Sequence, residues 1–327
     1  MKIDPSDRGT RRAVFVTGTR RDLMGTARRG IAAIRGWFRV DPRRAIPAVA
    51  ALALVLVQIT YPLSAGGTRD RITVVVVVLS AATAMAHAVT TRGLRWAGGF
   101  FVIVSGLGLA AEIIGTATGF PFGSYAYAVD RLGPALADVP LAVPLAWTGG
   151  LYPIWVVAGM LVSDRHQGGP SDVPNAQSPK PRTATIAGQT GLLSGSNVRR
   201  VGLFVLGAVG WDLFLDPQMV ADGQWTWAVT DAGLPGLPEI PYTNYVGWAL
   251  VAVFMAVLLT LLDRLLAPPR DPSMAVPVAV FGWTWLGSTL AHAVFLGLPA
   301  SAIWGFAGLG LLGIPLFLRA RAGRHAF

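Results

Sequence analysis

The feature of this sequence that most limits its fold is a series of long apolar runs that recur along almost the whole chain. With 53% hydrophobic and only 13% charged residues, these runs are too long and too numerous for the core of a soluble protein. We therefore predict an all-α, polytopic membrane helix bundle of about eight transmembrane helices. The predicted spans are Ile46–Leu63, Ile72–Val89, Leu94–Thr116, Leu141–Val162, Val201–Leu215, Tyr245–Leu262, Met274–Leu296 and Ala300–Leu318.

The basic residues predict the orientation of this bundle, because the cytoplasmic segments of membrane proteins carry an excess of Lys and Arg. If the N-terminus is cytoplasmic, all of the 27 Lys and Arg residues except Arg69, Arg71 and Arg131 fall on the cytoplasmic side. Both termini are therefore predicted to be cytoplasmic. The basic residues are almost all Arg, which is typical of a GC-rich bacterial genome, so we expect a multi-pass protein of a bacterial plasma membrane.

The same pattern divides the chain into five segments. Residues 1–45 are predicted to be an Arg-rich cytoplasmic tail that lies on anionic lipid, so the net charge of +10 does not indicate a nucleic-acid partner. Residues 46–162 and 201–318 are two four-helix membrane halves, and 163–200 is a flexible cytoplasmic linker rich in Pro, Ser and Gly. Residues 319–327 form a short basic tail. The chain has no cysteine, which excludes disulfides and thiol nucleophiles.

The most chemically distinctive stretch is GWDLFLDPQMVADGQWTW at 210–227, in which two aspartates follow an apolar run. At helical spacing Asp212 and Asp216 share one face, and Pro217 disfavours the α conformation at Asp216, so we expect the helix to end there. The helix dipole and the neighbouring carboxylate both disfavour a second negative charge, so at least one aspartate is expected to keep its proton. The alternative is a pair of ordinary interfacial aspartates that face water.

The predicted topology brings further polar residues to the same outer end of the bundle. Glu112 lies near the outer end of the third span and His292 near that of the seventh, and ionisable groups at this depth usually mark a site. A purely structural role stays open for both: Glu112 paired with a buried polar group, and His292 packed and hydrogen-bonded. Two aromatic-rich outer loops, 119–144 and 216–244, are expected to cover this end. Their rings suit a carbocation, although an interfacial aromatic belt has the same composition.

Four ordered motifs carry a resemblance to a known family: GFPFGSYAY at 119–127, PLAVPLAW at 140–147, DLFLDPQMV with GQWTW at 212–227, and IPYTNYVGW at 240–248. They resemble the signature segments of bacterial and archaeal carotenoid biosynthesis membrane proteins, which include the CruF-type carotenoid hydratases and bisanhydrobacterioruberin hydratase. The resemblance covers about residues 46–318. It implies a hydro-lyase that adds water to the terminal isoprenoid double bond of a linear carotenoid without a redox cofactor, within the bilayer and beside other carotenoid biosynthesis enzymes.

Chemistry, rather than the resemblance, assigns the roles of individual residues. Asp216 is predicted to protonate the alkene, and Asp212 or Glu112 to take the proton of the attacking water, with no metal. The residues expected to contact the substrate, the cation or the water are Tyr125, Trp211, Trp225, Trp227, Asn244 and His292.

Two other functions remain open on the sequence alone. A membrane polyprenyl transferase would use the DxxxD spacing of Asp212 and Asp216 to bind magnesium diphosphate, but the chain has one such pair, and its predicted position is away from cytoplasmic prenyl diphosphates. A non-catalytic carotenoid-binding or transport protein would use the intramembrane acids to relay protons.

Overall fold

Eight long helices form the body of the molecule within residues 42–163, 194–230, 232–266 and 273–322, the parts of the chain that this computed structural model describes. The helices are α1 Pro42–Thr60, α2 Gly66–Arg92, α3 Leu94–Thr118, α4 Ala142–Ser163, α5 Gly195–Ala221, α6 Tyr242–Leu265, α7 Ala275–Leu290 and α8 Pro299–Ala322. A 3-10 turn, Tyr61–Leu63, follows α1, and a π-helical turn, Ala291–Phe295, continues α7. The predicted helical bundle is confirmed in this coarse form.

Seven of these helices are long and apolar enough to cross a membrane, and α5 is not among them. Its sequence carries two acids, Asp212 and Asp216, within an otherwise apolar stretch. The predicted short span Val201–Leu215 is thus the middle of a 27-residue helix. The number of crossings, the division into halves and the side of the membrane on which the termini lie stay predictions.

Two predicted boundaries need correction. Ser194 caps α5 by accepting a hydrogen bond from the backbone N–H of Asn197, at 3.4 Å, so residues 195–200 are helical and do not belong to the linker. At the other end of the chain, α8 continues to Ala322, past the predicted boundary at 318. The N-terminal tail, apart from its last few residues, and the rest of the linker lie outside the described residues.

Helix α4 lies at the centre of the bundle, where it packs against α2, α3, α5, α7 and α8. Two adjacent glycines make this possible. A Cβ atom on Gly149 would collide with the Ser80 side chain of α2, and one on Gly150 would collide with the Trp211 ring of α5. Since neither glycine has a Cβ, α2 and Trp211 can both approach the α4 backbone closely.

One end of the bundle is closed by a buried ionic cluster. The Asp263 carboxylate of α6 accepts hydrogen bonds from Arg92 and Arg200, both at 2.6 Å, and from the indole N–H of Trp96 at 2.7 Å. These contacts join α2, α3, α5 and α6. Removal of Asp263 would leave two largely buried guanidinium groups without their counter-ion, which is strongly destabilising.

The opposite end is covered by the two aromatic-rich loops, which contain six short strands. The strands are β1 Tyr125–Tyr127, β2 Ala135–Leu136, β3 Val139–Pro140, β4 Trp225–Trp227, β5 Gly233–Leu234 and β6 Leu237–Pro241. The pairs β2–β3 and β5–β6 are local hairpins, whereas β1 and β4 come from different loops and pair antiparallel. The β1–β4 ribbon therefore ties the α3–α4 connection to the α5–α6 connection.

Candidate active site

Two aspartates of α5 lie side by side within the bundle. The amide nitrogen of Asn244, on α6, donates to Asp212 Oδ2 at 2.9 Å and to Asp216 Oδ2 at 2.5 Å. Both aspartates are buried: 0% of the surface of Asp212 and 4% of that of Asp216 is exposed. Their shared contact with one amide nitrogen brings the two carboxyls close together. Because no arginine or lysine of the described residues is bonded to them, the arrangement suits a pair that holds one proton between two carboxyls.

The prediction that α5 ends near Asp216 is wrong, because the helix continues through Pro217 to Ala221. A proline inside a helix cannot donate to the carbonyl four residues earlier, here that of Leu213. In this structure the hydroxyl of Ser301, on α8, donates to the Leu213 oxygen at 2.7 Å in place of the missing N–H. The aspartates therefore lie in the interior of a helix and not on its last turn.

His292 belongs to the support of this helix segment. Its Nδ1 lies 2.8 Å from the Ser301 oxygen and its Nε2 lies 3.0 Å from Gln218 Oε1. Since the Ser301 hydroxyl donates to Leu213, its oxygen is free to accept from His292 Nδ1–H. In this tautomer Nε2 is an acceptor, so the Gln218 amide is flipped to donate its NH2 group to the ring. His292 is fully buried and does not line the cavity described below, which fits the packed, hydrogen-bonded role better than direct contact with a substrate.

Glu112, on α3, is the third buried acid. Its Oε2 accepts hydrogen bonds from the hydroxyls of Tyr125 and Tyr127, the latter at 2.7 Å, and its Oε1 accepts from the Trp147 indole at 3.1 Å. Three neutral donors around one carboxyl stabilise its ionised form. Burial and the neighbouring Glu112 charge raise the pKa of Tyr125 well above its usual value, so this hydroxyl stays a donor.

The β1–β4 ribbon aims four aromatic rings at these acids. In a strand, alternate side chains point to opposite faces. Tyr125, Tyr127, Trp225 and Trp227 are therefore on one face and directed into the protein, while Ala126 and Thr226 between them are exposed. The alternation of large aromatic and small residues in YAY and WTW is the local reason that these segments form a covering ribbon.

Further aromatic rings build the wall below the ribbon. Trp147 and Trp248 stack face to face, with ring centroids 4.0 Å apart, and Trp211 meets Trp248 edge-on at 5.6 Å. Trp248 lies one helical turn after Asn244 on α6, so a single helix face presents both the amide that holds the aspartates and a ring of the wall. The aromatics therefore form an enclosure rather than a belt scattered around the bundle.

These groups surround one cavity of about 420 Å³. It is the size of a typical small-ligand site, and its surface is mostly apolar with a few convergent polar groups. The predicted site residues that line it are Glu112, Tyr125, Trp211, Asp216, Trp225, Trp227 and Asn244. Asp212 lies behind Asp216 and His292 lies behind Gln218, so neither faces the cavity.

The arginines near the cavity are engaged with acids of the connecting segments. Arg69 pairs with Asp222 at 2.5 Å, and Arg131 pairs with Asp70 at 2.7 Å while also donating to backbone oxygens. The remaining partner of Asp222 is the hydroxyl of Tyr61. These contacts fasten the start of α2 to the end of α5 beside the ribbon.

Sequence reasoning missed three contributors to this site: Trp248, Ser301 and Gln218. The spacing of Trp248 from Asn244 was a signal available in the sequence, because four residues return to the same helix face. No comparable signal connects Ser301 to Leu213, since the two residues lie 88 positions apart. The role of Gln218 likewise depends on the π-helical turn that brings His292 to it.

Comparisons with known proteins identify the family of this chain. A family model described as "Carotenoid biosynthesis protein" matches residues 72–312. The chain is also 28% identical over 203 residues to a protein of Haloarcula japonica named bisanhydrobacterioruberin hydratase. That alignment covers 61% of this chain and 57% of the relative, so it spans little more than half of the relative's length. No solved structure gives a significant match.

Proposed function

Since the chain belongs to the carotenoid biosynthesis protein family, we propose that it is a hydratase that adds water to the terminal isoprenoid double bond of a linear carotenoid. The observation that carries this proposal is the cavity, in which one carboxyl of the aspartate pair, that of Asp216, and the separate carboxyl of Glu112 face the same aromatic enclosure. Hydration of an unactivated alkene requires an acid, protection for a cation, and a base, and the cavity contains a group for each.

The acid step is assigned to Asp216, because it is the member of the pair that lines the cavity. Its carboxyl proton goes to the less substituted alkene carbon, and the π electrons of the double bond form the new C–H bond. The adjacent carbon becomes a tertiary cation, and the pair becomes doubly ionised. Asp212 and Asn244 both act on Asp216. The Asp212 carboxylate favours proton retention before the step, and the Asn244 amide stabilises the charge after it.

The cation is stabilised by the π faces of the surrounding rings. Trp211, Trp225 and Tyr125 line the same cavity as Asp216 and are poor nucleophiles towards a tertiary cation. The Tyr125 hydroxyl, which could otherwise attack the cation, is bound to Glu112. An aromatic wall of this kind stabilises the cation without forming a covalent bond to it.

The base is assigned to Glu112 rather than to Asp212. Glu112 lines the cavity, whereas Asp212 does not. Water attacks the cation, its oxygen forms the new C–O bond, and its proton is transferred to the carboxylate. Return of one proton to the pair then restores the starting state, so the net reaction is addition of one water to the double bond.

A polyprenyl transferase is the less supported function. A magnesium diphosphate site needs oxygen ligands directed at an open space, and one carboxyl of the DxxxD pair does not face the cavity. The cationic side chains that would hold a diphosphate, Arg69 and Arg131, are paired with Asp222 and Asp70.

Isotope labelling tests the reaction directly. Turnover in heavy water should place one deuterium on the carbon next to the new alcohol, and labelled water should supply the hydroxyl oxygen. Molecular oxygen labelled in the same way should supply none. Incorporation of oxygen from O₂ would identify an oxygenase and refute hydration, and absence of any product of added water would refute the proposed function.

Substitution of Asp216 tests the assignment of the acid. Asp216→Asn keeps the shape of the side chain but has no transferable carboxyl proton, so hydration should fall by about 10² to 10⁴ or more while the protein remains folded. Asp138→Asn is the matched control, because Asp138 is an exposed loop residue. Comparable rates for Asp216→Asn and Asp138→Asn would remove the pair from the mechanism.

The aromatic enclosure is tested by separating binding from catalysis. Trp225→Leu and Trp211→Leu should lower kcat more than they raise KM, because a π face matters most after charge has developed. Substrate and cation bury similar apolar area, so a merely apolar wall would affect both quantities in the same proportion. Equal losses in binding and rate would therefore contradict the role of the rings in cation stabilisation.

A further inference from the structure

The cavity extends away from the carboxyls toward one flank of the bundle. Its far wall is formed by α1, α2 and α7, with a different composition from the aromatic part. The lining residues contributed there by α1 and α7 include Leu54, Gln58, Ile59, Val280, Trp283, Thr284 and Ser288. We propose that the seam between the ends of α1 and α7 is a lateral entrance through which the end group of a polyene passes from the lipid to Asp216. This inference rests on the proposed function for the identity of the ligand.

The rim of this entrance is both exposed and apolar. Ile59, Leu63, Leu290 and Phe295 line the cavity, yet 45 to 68% of each residue is exposed on the outside of the bundle. They belong to the end of α1 with its 3-10 turn and to the end of α7 with its π-helical turn. An opening with such a rim is compatible with hydrocarbon rather than water, so the ligand that enters here comes from the apolar phase.

The two helices that flank the entrance are the least buried of the seven long apolar helices. Only 17% of the most apolar stretch of α1 and of α7 is buried inside the protein, against 67% for α4. α1 makes few close backbone approaches to the other helices. Elements with few buried contacts open at low free-energy cost. The π-helical turn at Ala291–Phe295 adds a local irregularity of the kind often found at functional sites.

One hydrogen bond connects the two flanking helices across the wall of the cavity. The indole N–H of Trp283, on α7, donates to Gln58 Oε1, on α1, at 2.9 Å. Gln58 is the single polar residue in the apolar stretch of α1 from Ala45 to Ile59. A polar side chain at such a position is costly unless it is hydrogen-bonded. We therefore assign this bond the function of holding the entrance closed.

The shape of a polyene favours a lateral entrance. A conjugated chain is rigid and straight, and a cavity of about 420 Å³ encloses only an end group and a short part of it. The rest of the molecule must leave the protein in line with the enclosed end. Opening of the seam between α1 and α7 would give an apolar path from this cavity to the outer surface, so the substrate would be held with its reacting end inside and its remaining length in the lipid.

Obstruction of the rim tests the proposal. The chain has no cysteine, so a single introduced thiol can be alkylated selectively with a bulky maleimide. Leu290→Cys places the adduct on the rim. Leu311→Cys is the matched control, because Leu311 is 53% exposed, close to the 57% of Leu290, but does not line the cavity. Entry is measured as the rate at which lycopene in proteoliposomes quenches tryptophan fluorescence, in an Asp216→Asn background that lacks the chemical step.

Alkylated Leu290→Cys should bind lycopene more slowly by about tenfold or more, while alkylated Leu311→Cys should bind at the unmodified rate. Equal rates for the two adducts would overturn the entrance. The same adducts in the otherwise unsubstituted chain are then assayed for hydration. A protein that binds through the rim but never hydrates refutes the proposed function alone, and one that hydrates equally well with both adducts refutes the entrance alone.

The hydrogen bond is tested by two substitutions that remove it from opposite sides. Gln58→Leu and Trp283→Phe should each speed both association and dissociation by about fivefold, with little change in affinity, because they destabilise the closed state relative to the open one. The double substitution should be no faster than either single one, since both remove the same bond. Unchanged rates in both variants, or additive effects, would refute its role in closing the entrance.

Discussion

Ser301→Ala is the change whose cost can be worked out most directly from the structure. The Ser301 hydroxyl donates to the Leu213 oxygen and lies 2.8 Å from His292 Nδ1, so its removal leaves two buried groups without partners. Each unsatisfied buried group costs about 1–3 kcal/mol. We expect a loss of about 2–6 kcal/mol in the free energy of unfolding. Activity should also fall, because Leu213 lies next to Asp212 in α5.

A second substitution distinguishes this mechanism from a general packing defect. Pro217→Ala restores a backbone N–H that can donate to the Leu213 oxygen, which makes the serine partly redundant. In the Pro217→Ala background, Ser301→Ala should therefore cost about 1–3 kcal/mol less than it does in the original chain. The measurement is equilibrium unfolding of the four proteins in mixed detergent micelles, followed by the tryptophan fluorescence that the core residues provide.

Thr260→Val is the matched control for loss of a buried hydroxyl. Thr260 donates to Ala256, the carbonyl four residues earlier in its own helix, which the intact α6 backbone also satisfies. Its replacement by the isosteric valine should lower the free energy of unfolding by much less than Ser301→Ala does. This loss should also be the same with proline or alanine at position 217. If the costs of Ser301→Ala and Pro217→Ala add within about 0.5 kcal/mol, the serine does not compensate for the proline and the reasoning fails.

Three further predictions concern topology and the cavity. Reporters fused after Arg321 should read cytoplasmic and those inserted after Asp138 should read external, because the basic residues favour that orientation; an external signal after Arg321 would invert it. Glu112→Gln should lower kcat by about 10² to 10⁴, because the amide cannot take the proton of water; an unchanged kcat in the product assay would exclude it as the base. Gly150→Ala should displace the Trp211 ring, lowering kcat and destabilising the fold by about 1–3 kcal/mol, and wild-type values in both assays would contradict the close packing.

Much of the fold follows from local properties of the chain. Long apolar runs predict helices because each backbone polar group in an apolar phase must be bonded within its own segment. The end of α5 could not be predicted in the same way. The local preference of Pro217 argues for termination, and a serine on α8 reverses it by replacing the missing hydrogen bond. The β1–β4 ribbon was equally out of reach, since its partners lie in different loops.

The site was more predictable in its composition than in its internal arrangement. The ordering of Asp216, Glu112 and the aromatic residues along the chain was sufficient to place them at one end of the bundle, and all of them line the cavity. Which carboxyl faces the cavity depends on helix rotation and packing, which spacing alone does not determine. Asn244 was expected to hold water, yet its amide nitrogen is bonded to both aspartates. His292 was expected beside the substrate and instead lies behind Gln218.

The hydrogen-bond partners of the buried acids have a consequence for biosynthesis. Glu112 is bonded to side chains 13, 15 and 35 residues downstream, all of them before the chain reaches the linker. Asp212 and Asp216 are bonded to Asn244, which lies 32 and 28 residues downstream of them. All three residues follow the linker. Each acid can thus find its partners within the segment that emerges from the ribosome with it. Neither segment has to wait in the bilayer with an unpartnered carboxyl until the other has been translated.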